Sequence, residues 1–241
     1  MVSQRADQIA HGALGPDLKN RKVRQILEAA RTVFLDQGYA NASMDAISRA
    51  SGVSKATLYV HFASKNALFE ALITAECLQM SNRIVARALH HGDIRDVLCS
   101  IGEDFVDLLC TKDACAMYRV VVADAPRFPE IGRIFYASGP KMMHDRIADL
   151  LRRANETGQL TVPDAHMGAI QFLSLVAGEF NLTLLLGLPR KSRSAISQYI
   201  ECGLELFLTG YNYVQDSGSP GSFSGSMVTD SSPRNAKRTK V

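Results

Sequence analysis

The sequence predicts an all-α protein, a short N-terminal helical unit followed by a larger helical body. Three observations lead there. Apolar residues recur at three- and four-residue intervals along most of the chain, the spacing of one helix face. No stretch alternates apolar and polar residues as a half-buried strand does. Val, Ile and aromatic residues are thin beside Leu and Ala, with aromatics at 7% and no Trp, which argues against a β-sandwich or barrel.

Residues 1–16 show no periodicity and end in Gly15-Pro16, so they read as a flexible arm. The helical signal starts at Asp17. Val23, Ile26, Leu27, Ala30 and Phe34 line one face, and Gly38 is the predicted stop. Ser43 is a good cap for a short helix over 44–50, which Gly52 breaks. Ser54 caps a second short helix through His61. Ser64 caps a long helix from Lys65 to about Leu89, ended by His90-His91-Gly92.

The rest continues as helix. Asp93 to Cys110 carries an apolar stripe, and Asp113 to Ala125 stops at Pro126. Pro129 suits a helix start, and that helix can run to Glu156 with a break at Gly139-Pro140. A further segment runs from Pro163 to Leu186, and Ser192 to about Tyr213 is the last. Residues 215–241 are rich in Ser and Gly and read as a disordered tail ending in a small basic cluster.

A chain of 241 residues allows one or two domains with real cores. No apolar run reaches 18 residues, and the first residues lack the apolar core of a secretory signal. A cytoplasmic protein without a membrane partner is the expectation. Residues 1–65 hold nine Lys and Arg against five acids, whereas 66–215 hold fourteen against seventeen. A basic front on an acidic body suggests that the front meets a polyanion, although ordinary surface variation gives the same counts. The five cysteines are odd in number and lack C-x-x-C spacing. They read as small buried hydrophobes, with a redox or alkylation sensor as the other reading. No H-E-x-x-H, P-loop, G-x-S-x-G or G-x-G-x-x-G is found. No catalytic residue, metal ligand or cofactor is therefore assigned, and an enzyme is not expected.

The segment from Ser43 to Tyr59 has the pattern of a helix-turn-helix. Ala46 and Ile47 pack the first helix, Gly52 makes the turn, and Val53 and Leu58 pack the second helix. Ser54, Lys55, Ala56, Thr57 and Tyr59 are left facing out. A helix entering the major groove presents its N-terminal part to base edges and needs short polar or cationic groups there.

The stretch from Ile26 to Leu72 resembles the DNA-binding domain of the tetracycline-repressor (TetR) family. The resemblance rests on Ile26-Leu27-x-Ala29-Ala30-x-x-x-Phe34-x-x-x-Gly38-Tyr39 and on Thr57-Leu58-Tyr59-x-His61-Phe62-x-x-Lys65-x-x-Leu68. Val60 departs from it, standing where family members more often carry a bulky aromatic. The resemblance implies an N-terminal three-helix DNA-binding domain over 17–65 and a helical ligand-binding and dimerisation domain over 66–214. It places Ser43 against a phosphate at a helix N-terminus and Ser54, Lys55, Ala56 and Thr57 on the base-reading face. It brings Tyr59 and His61 to the backbone and Lys65 to a phosphate. From the residues alone, Tyr59 also reads as packing and His61 as a core or capping histidine.

In the body, the family role implies a ligand pocket, for which Phe105, Met117, Tyr118, Phe135, Met143, His144, Phe172 and Glu179 are the candidates. An apolar stripe of this kind also reads as plain core. Tyr118 to Pro129 resembles a stretch of one broad subgroup of these regulators. The last two helices are the implied dimer surface, with Phe180, Leu184, Ile196, Tyr199, Ile200 and Phe207 supplying apolar area. The implied function is a sequence-specific transcriptional regulator. The expected form is a homodimeric repressor on double-stranded, near-palindromic operator DNA, released by a small-molecule inducer. An activator of the same fold, or a ligand-binding or architectural protein without operator specificity, is the alternative.

Overall fold

The computed structural model describes residues 20–88 and 92–215. The expected arm, Asp17 to Lys19, His90-His91 and residues 216–241 lie outside the described residues. Among the described residues the regular elements are all helical. They are α1 Arg21–Asn41, α2 Met44–Ser51, α3 Lys55–His61, α4 Lys65–Ala88 and α5 Ile94–Leu109. Then come α6 Lys112–Asp124, α7 Pro129–Tyr136, α8 Met142–Glu156, α9 Ala165–Leu185 and α10 Arg193–Gly210. Side-chain oxygens of Asn20, Ser43, Ser54, Ser64, Asp93, Thr111, Asp164 and Ser192 accept first-turn amides. These bonds satisfy donors that a helix leaves unpaired, and fix where α1–α6, α9 and α10 begin.

Two expected breaks behave differently from one another. At Gly38 the chain leaves helical geometry with φ +74°, and one more turn follows to Asn41. At Gly139-Pro140 the chain stays helical, through a π-type turn over Ala137–Lys141 that joins α7 to α8. Pro140 has no amide to donate, and the wider turn accommodates its ring without ending the helix.

Two clusters of buried side chains hold the fold. The first joins Ile26, Phe34, Ile47, Leu58, Leu68 and Phe69 of α1–α4 to Met117 and Val121 of α6 and Ile131 of α7. The head therefore shares its core with α4, α6 and α7, and the packing does not divide at residue 65. The second cluster takes Leu98 and Ile101 from α5, Ile147 and Leu151 from α8, Phe172 and Val176 from α9, and Ile200, Leu204 and Phe207 from α10. At Gly203 a Cβ would stand 2.9 Å from the Leu175 carbonyl oxygen. Only glycine permits that approach, so α9 and α10 meet at backbone distance.

The structure corrects several sequence expectations. Phe180, Ile196, Ile200 and Phe207 are buried in the protomer's own core and cannot also form an outer surface. Leu184 is half-buried, and so is Tyr199, whose ring meets Phe180 edge-on at 5.1 Å. The reason is that α9 and α10 are apolar on two sides, and the stripe legible in sequence is the inner one. Met167, Leu182, Leu186, Leu188 and Leu206 are exposed large apolar residues of this region. The cysteines are not uniformly buried either: Cys202 is exposed and the other four are half-buried. Burial pushes the Cys77 and Cys99 thiols up to about 11. Among the described residues α9 is the one helix long and apolar enough to cross a membrane, although Phe172, Val176 and Phe180 bury one of its sides in the body core.

Candidate nucleic-acid interface

The α2–turn–α3 unit is built from few residues. Met44 and Ile47 bury one side of α2, and Leu58 anchors α3. Gly52 caps α2 with φ +67°, a left-handed conformation that glycine adopts without strain. The turn is tied down by Gln25 Nε2, which donates to the Ser51 carbonyl oxygen at 2.6 Å, and by Ser48 Oγ, which donates to the Val53 carbonyl oxygen at 2.7 Å. The angle between the two short helices is thus held from α1.

This framework sets the exposure of the residues expected to meet DNA. Ser54, Lys55, Ala56 and Tyr59 are exposed at the start of α3. Thr57 is half-buried, and its hydroxyl lies 2.8 Å from Ser54 Oγ. His61 is half-buried at the end of α3 and tilts against Phe62. Ser43 is exposed at the N-terminus of α2, where free amides and the helix dipole favour an anion. Val60 is the most exposed of the large apolar side chains described.

Two residues behave in ways that neither motif nor spacing announced. Asp45, in the first turn of α2, holds the Lys55 ammonium at 2.7 Å. The lysine beside it keeps the Asp45 carboxyl below the usual carboxylate range, and Asp45 in turn raises the Lys55 ammonium. Lys65 does not stand with the outward groups. Its ammonium donates to the carbonyl oxygens of Tyr39 at 2.7 Å and Ala42 at 3.0 Å, and lies 4.4 Å above the Tyr39 ring. Burial lowers its pKa. The reason is local: α1 ends at Asn41, which leaves the carbonyls of its last residues and of its cap Ala42 without helical partners, and Lys65 satisfies them.

The same segment carries the contact with the body. Asp124 Oδ2, at the end of α6, accepts the Ala40 amide at 3.0 Å. Phe128 meets the Tyr39 ring edge-on at 5.3 Å, and Tyr39 OH donates to Asn66 Oδ1. Burial, with the nearby Glu130 carboxylate, pushes the Tyr39 phenol up to about 12. Arg31 of α1 reaches Glu76 of α4 at 3.0 Å and Asp113 of α6 at 2.5 Å. Asp124 and Phe128 give the Tyr118-to-Pro129 stretch a physical role in seating the body on the head.

The candidate pocket residues do not converge on one site. Met117 belongs to the head-side cluster, whereas Met143 and Phe172 are buried in the body cluster. Tyr118 and Phe135 stack at 5.6 Å on the head side, and Phe105 packs against the body cluster. Glu179 is exposed and paired with Lys191 at 2.5 Å. His144 is half-buried, and its Nδ1 has no hydrogen-bond partner among the described residues. Ser81 Oγ of α4 and Ser100 Oγ of α5 are likewise buried and unpartnered. Sequence reasoning missed both serines, because a serine in an apolar helix carries no signal of being unpaired. An open groove of about 570 Å³ runs between Ile170, Gln171 and Ser174 of α9 and Leu206 and Gly210 of α10.

Comparison with known proteins agrees with this architecture. Residues 26–72 match the model of the bacterial regulatory proteins of the tetR family. Residues 96–213 match the C-terminal domain of AefR-like transcriptional repressors. The HTH-type transcriptional regulator UidR of Escherichia coli (strain K12) is 32% identical over 143 residues, which cover 58% of this chain and 69% of UidR. The HTH-type transcriptional activator FasR of Mycolicibacterium smegmatis is 51% identical over 85 residues, 35% of this chain and 39% of FasR. The solved structure of the flavonoid-responsive regulator FrrA is 39% identical, covers 79% of this chain and 96% of its own, and superposes with a TM-score of 0.68. A capped two-helix reading head, an all-helical body and relatives alike over both parts lead to one assignment: the chain belongs to the TetR family of DNA-binding transcriptional regulators.

Proposed function

We propose that the protein is a homodimeric repressor that holds a near-palindromic operator and releases it when a small molecule enters the body. The observation that carries this reading is the start of α3, where Ser54, Lys55, Ala56 and Tyr59 stand exposed on a helix fixed by Leu58 and Gly52. Such a helix fits the major groove with its polar first turn toward base edges. Ser43 receives a phosphate at the N-terminus of α2, and Tyr59 and His61 approach the backbone. Repression is favoured by the likeness of residues 96–213 to the C-terminal domain of a repressor.

Ligand binding in the body is supported by the unpartnered Ser81 Oγ, Ser100 Oγ and His144 Nδ1. They lie on α4, α5 and α8, and α4 packs against both of the others. A buried polar atom left unpaired costs about 1–3 kcal/mol, which a hydroxylated ligand offsets. The relative FrrA is named as flavonoid-responsive, so planar hydroxylated aromatics are the first class to try. Dimerisation uses the outer face of α9 and α10. Met167, Leu182 and Leu206 are exposed there, and Gly178 and Gly210 face open space. An isologous pairing matches the two-fold symmetry of a palindrome.

The test is selection of random duplexes by the purified, ligand-free protein at physiological salt, followed by transcription in vitro from a promoter carrying the selected site. A palindrome with half-sites about one helical turn apart, or a multiple, and reduced transcription are expected. Increased transcription moves the reading to an activator. Salt-sensitive, sequence-blind binding moves it to an architectural role.

A further inference from the structure

Asp45 and Lys55 face each other across the turn between α2 and α3. Their charged ends are 2.7 Å apart, and both side chains are more than half exposed, at 53% and 58%. Lys55 is the first residue of α3, and Asp45 lies in the first turn of α2, where the helix dipole favours its negative charge. Arg49 and Tyr59 are the other titratable groups that bear on the pair.

A lysine is a compact point charge on a flexible stem, and any phosphate satisfies it. Non-specific DNA affinity comes almost entirely from such neutralised phosphates. An untethered Lys55 adds one phosphate contact on every sequence and lowers the ratio of operator to random binding. The Asp45 carboxylate already occupies it. Exchanging one anionic oxygen for another gains little at a random site. In an operator, a guanine on the groove floor offers neutral O6 and N7 to the ammonium's remaining donors, so Lys55 reaches it without leaving Asp45.

We propose that Asp45 is a specificity-determining residue, holding the Lys55 ammonium back from random phosphates and aiming its remaining donors at the operator's base edge. This rests on the reading of Lys55 as a base-facing residue. Asp45 works by repelling wrong partners as much as by holding a right one.

The test compares the native protein with Asp45→Asn, Lys55→Ala and the double variant. Each is titrated over a range of salt on the operator duplex recovered by selection, and on a duplex with scrambled half-sites. Both positions are exposed, and the melting temperature of each variant verifies its fold. Asp45→Asn is expected to raise affinity for the scrambled duplex about two- to fivefold. It is also expected to steepen that duplex's salt slope by about 0.9. Operator affinity should change less, so the specificity ratio falls. In the Lys55→Ala background, Asp45→Asn should shift both duplexes equally and leave the ratio unchanged. An equal rise on both duplexes with Lys55 present reduces Asp45 to a plain repulsive charge and overturns the inference alone. If Lys55→Ala leaves base preference unchanged at every operator position, the base-reading role of Lys55 falls and the inference falls with it.

Discussion

The Lys65 ammonium donates to the carbonyl oxygen of Tyr39 at 2.7 Å and lies 4.4 Å above the ring of the same residue. A lysine held this way stabilises the end of α1 and has little freedom to neutralise a phosphate. Lys65→Met keeps the stem and removes the donors. It is expected to cost about 1.5–3 kcal/mol of stability in urea unfolding, the range for hydrogen bonds to a charged group. The salt slope of operator binding should stay as in the native protein. A slope smaller by about one unit would mean that Lys65 leaves the carbonyls for DNA.

Asp124 holds the Ala40 amide from the body side. Asp124→Ala removes the acceptor, whereas Asp124→Asn retains an oxygen that can serve. Amide hydrogen exchange at Ala40 should quicken in the alanine variant and stay near native in the asparagine variant. Equal protection in all three proteins would show that the head keeps this segment closed unaided.

His144 is shifted below its ordinary value, first by burial and then by the neighbouring His166, with Asp145 opposing. The unfolded chain therefore takes up a proton, at an ordinary value of about 6.5, before the native imidazole does. Stability is expected to fall as pH drops below that value, until the native imidazole also protonates. His144→Gln should flatten this part of the stability–pH curve in denaturant titrations. An unchanged slope would assign the proton uptake to other groups.

The inner and outer faces of the last two helices separate in their effects. Ile200→Ala empties a position that is only 1% exposed and is expected to cost about 2–5 kcal/mol. Leu206→Glu, at an exposed site beside the groove, should leave the protomer folded and shift sedimentation toward a monomer. A native sedimentation profile for Leu206→Glu would place the pairing surface elsewhere.

Much of the fold was legible because helix periodicity and caps are local signals. Ser43, Ser54 and Ser64 announce helix starts, and the structure uses all three. The α3 face was legible because Leu58 and Gly52 fix which residues turn outward. Lys65 was not, since its carbonyl partners Tyr39 and Ala42 lie at a helix end 26 and 23 residues earlier in the chain. The Asp45–Lys55 pair depends on the angle between two helices, which no spacing encodes. The body's polar atoms were hidden for a related reason. Whether Ser81 and Ser100 find partners depends on side chains from other helices.

At Gly203 α10 comes close to the Leu175 carbonyl of α9, while the ring pairs Phe172–Phe207 and Phe180–Tyr199 fill the seam elsewhere. A side chain added at 203 would therefore have to push the two helices apart. Residues 38–42 are held by the Ala42 amide on the Gly38 carbonyl oxygen together with the Asp124 carboxylate and the Lys65 ammonium. Bulk at position 203 would thus set the spacing of two helices, whereas the segment leading into α2 is held by charged side chains.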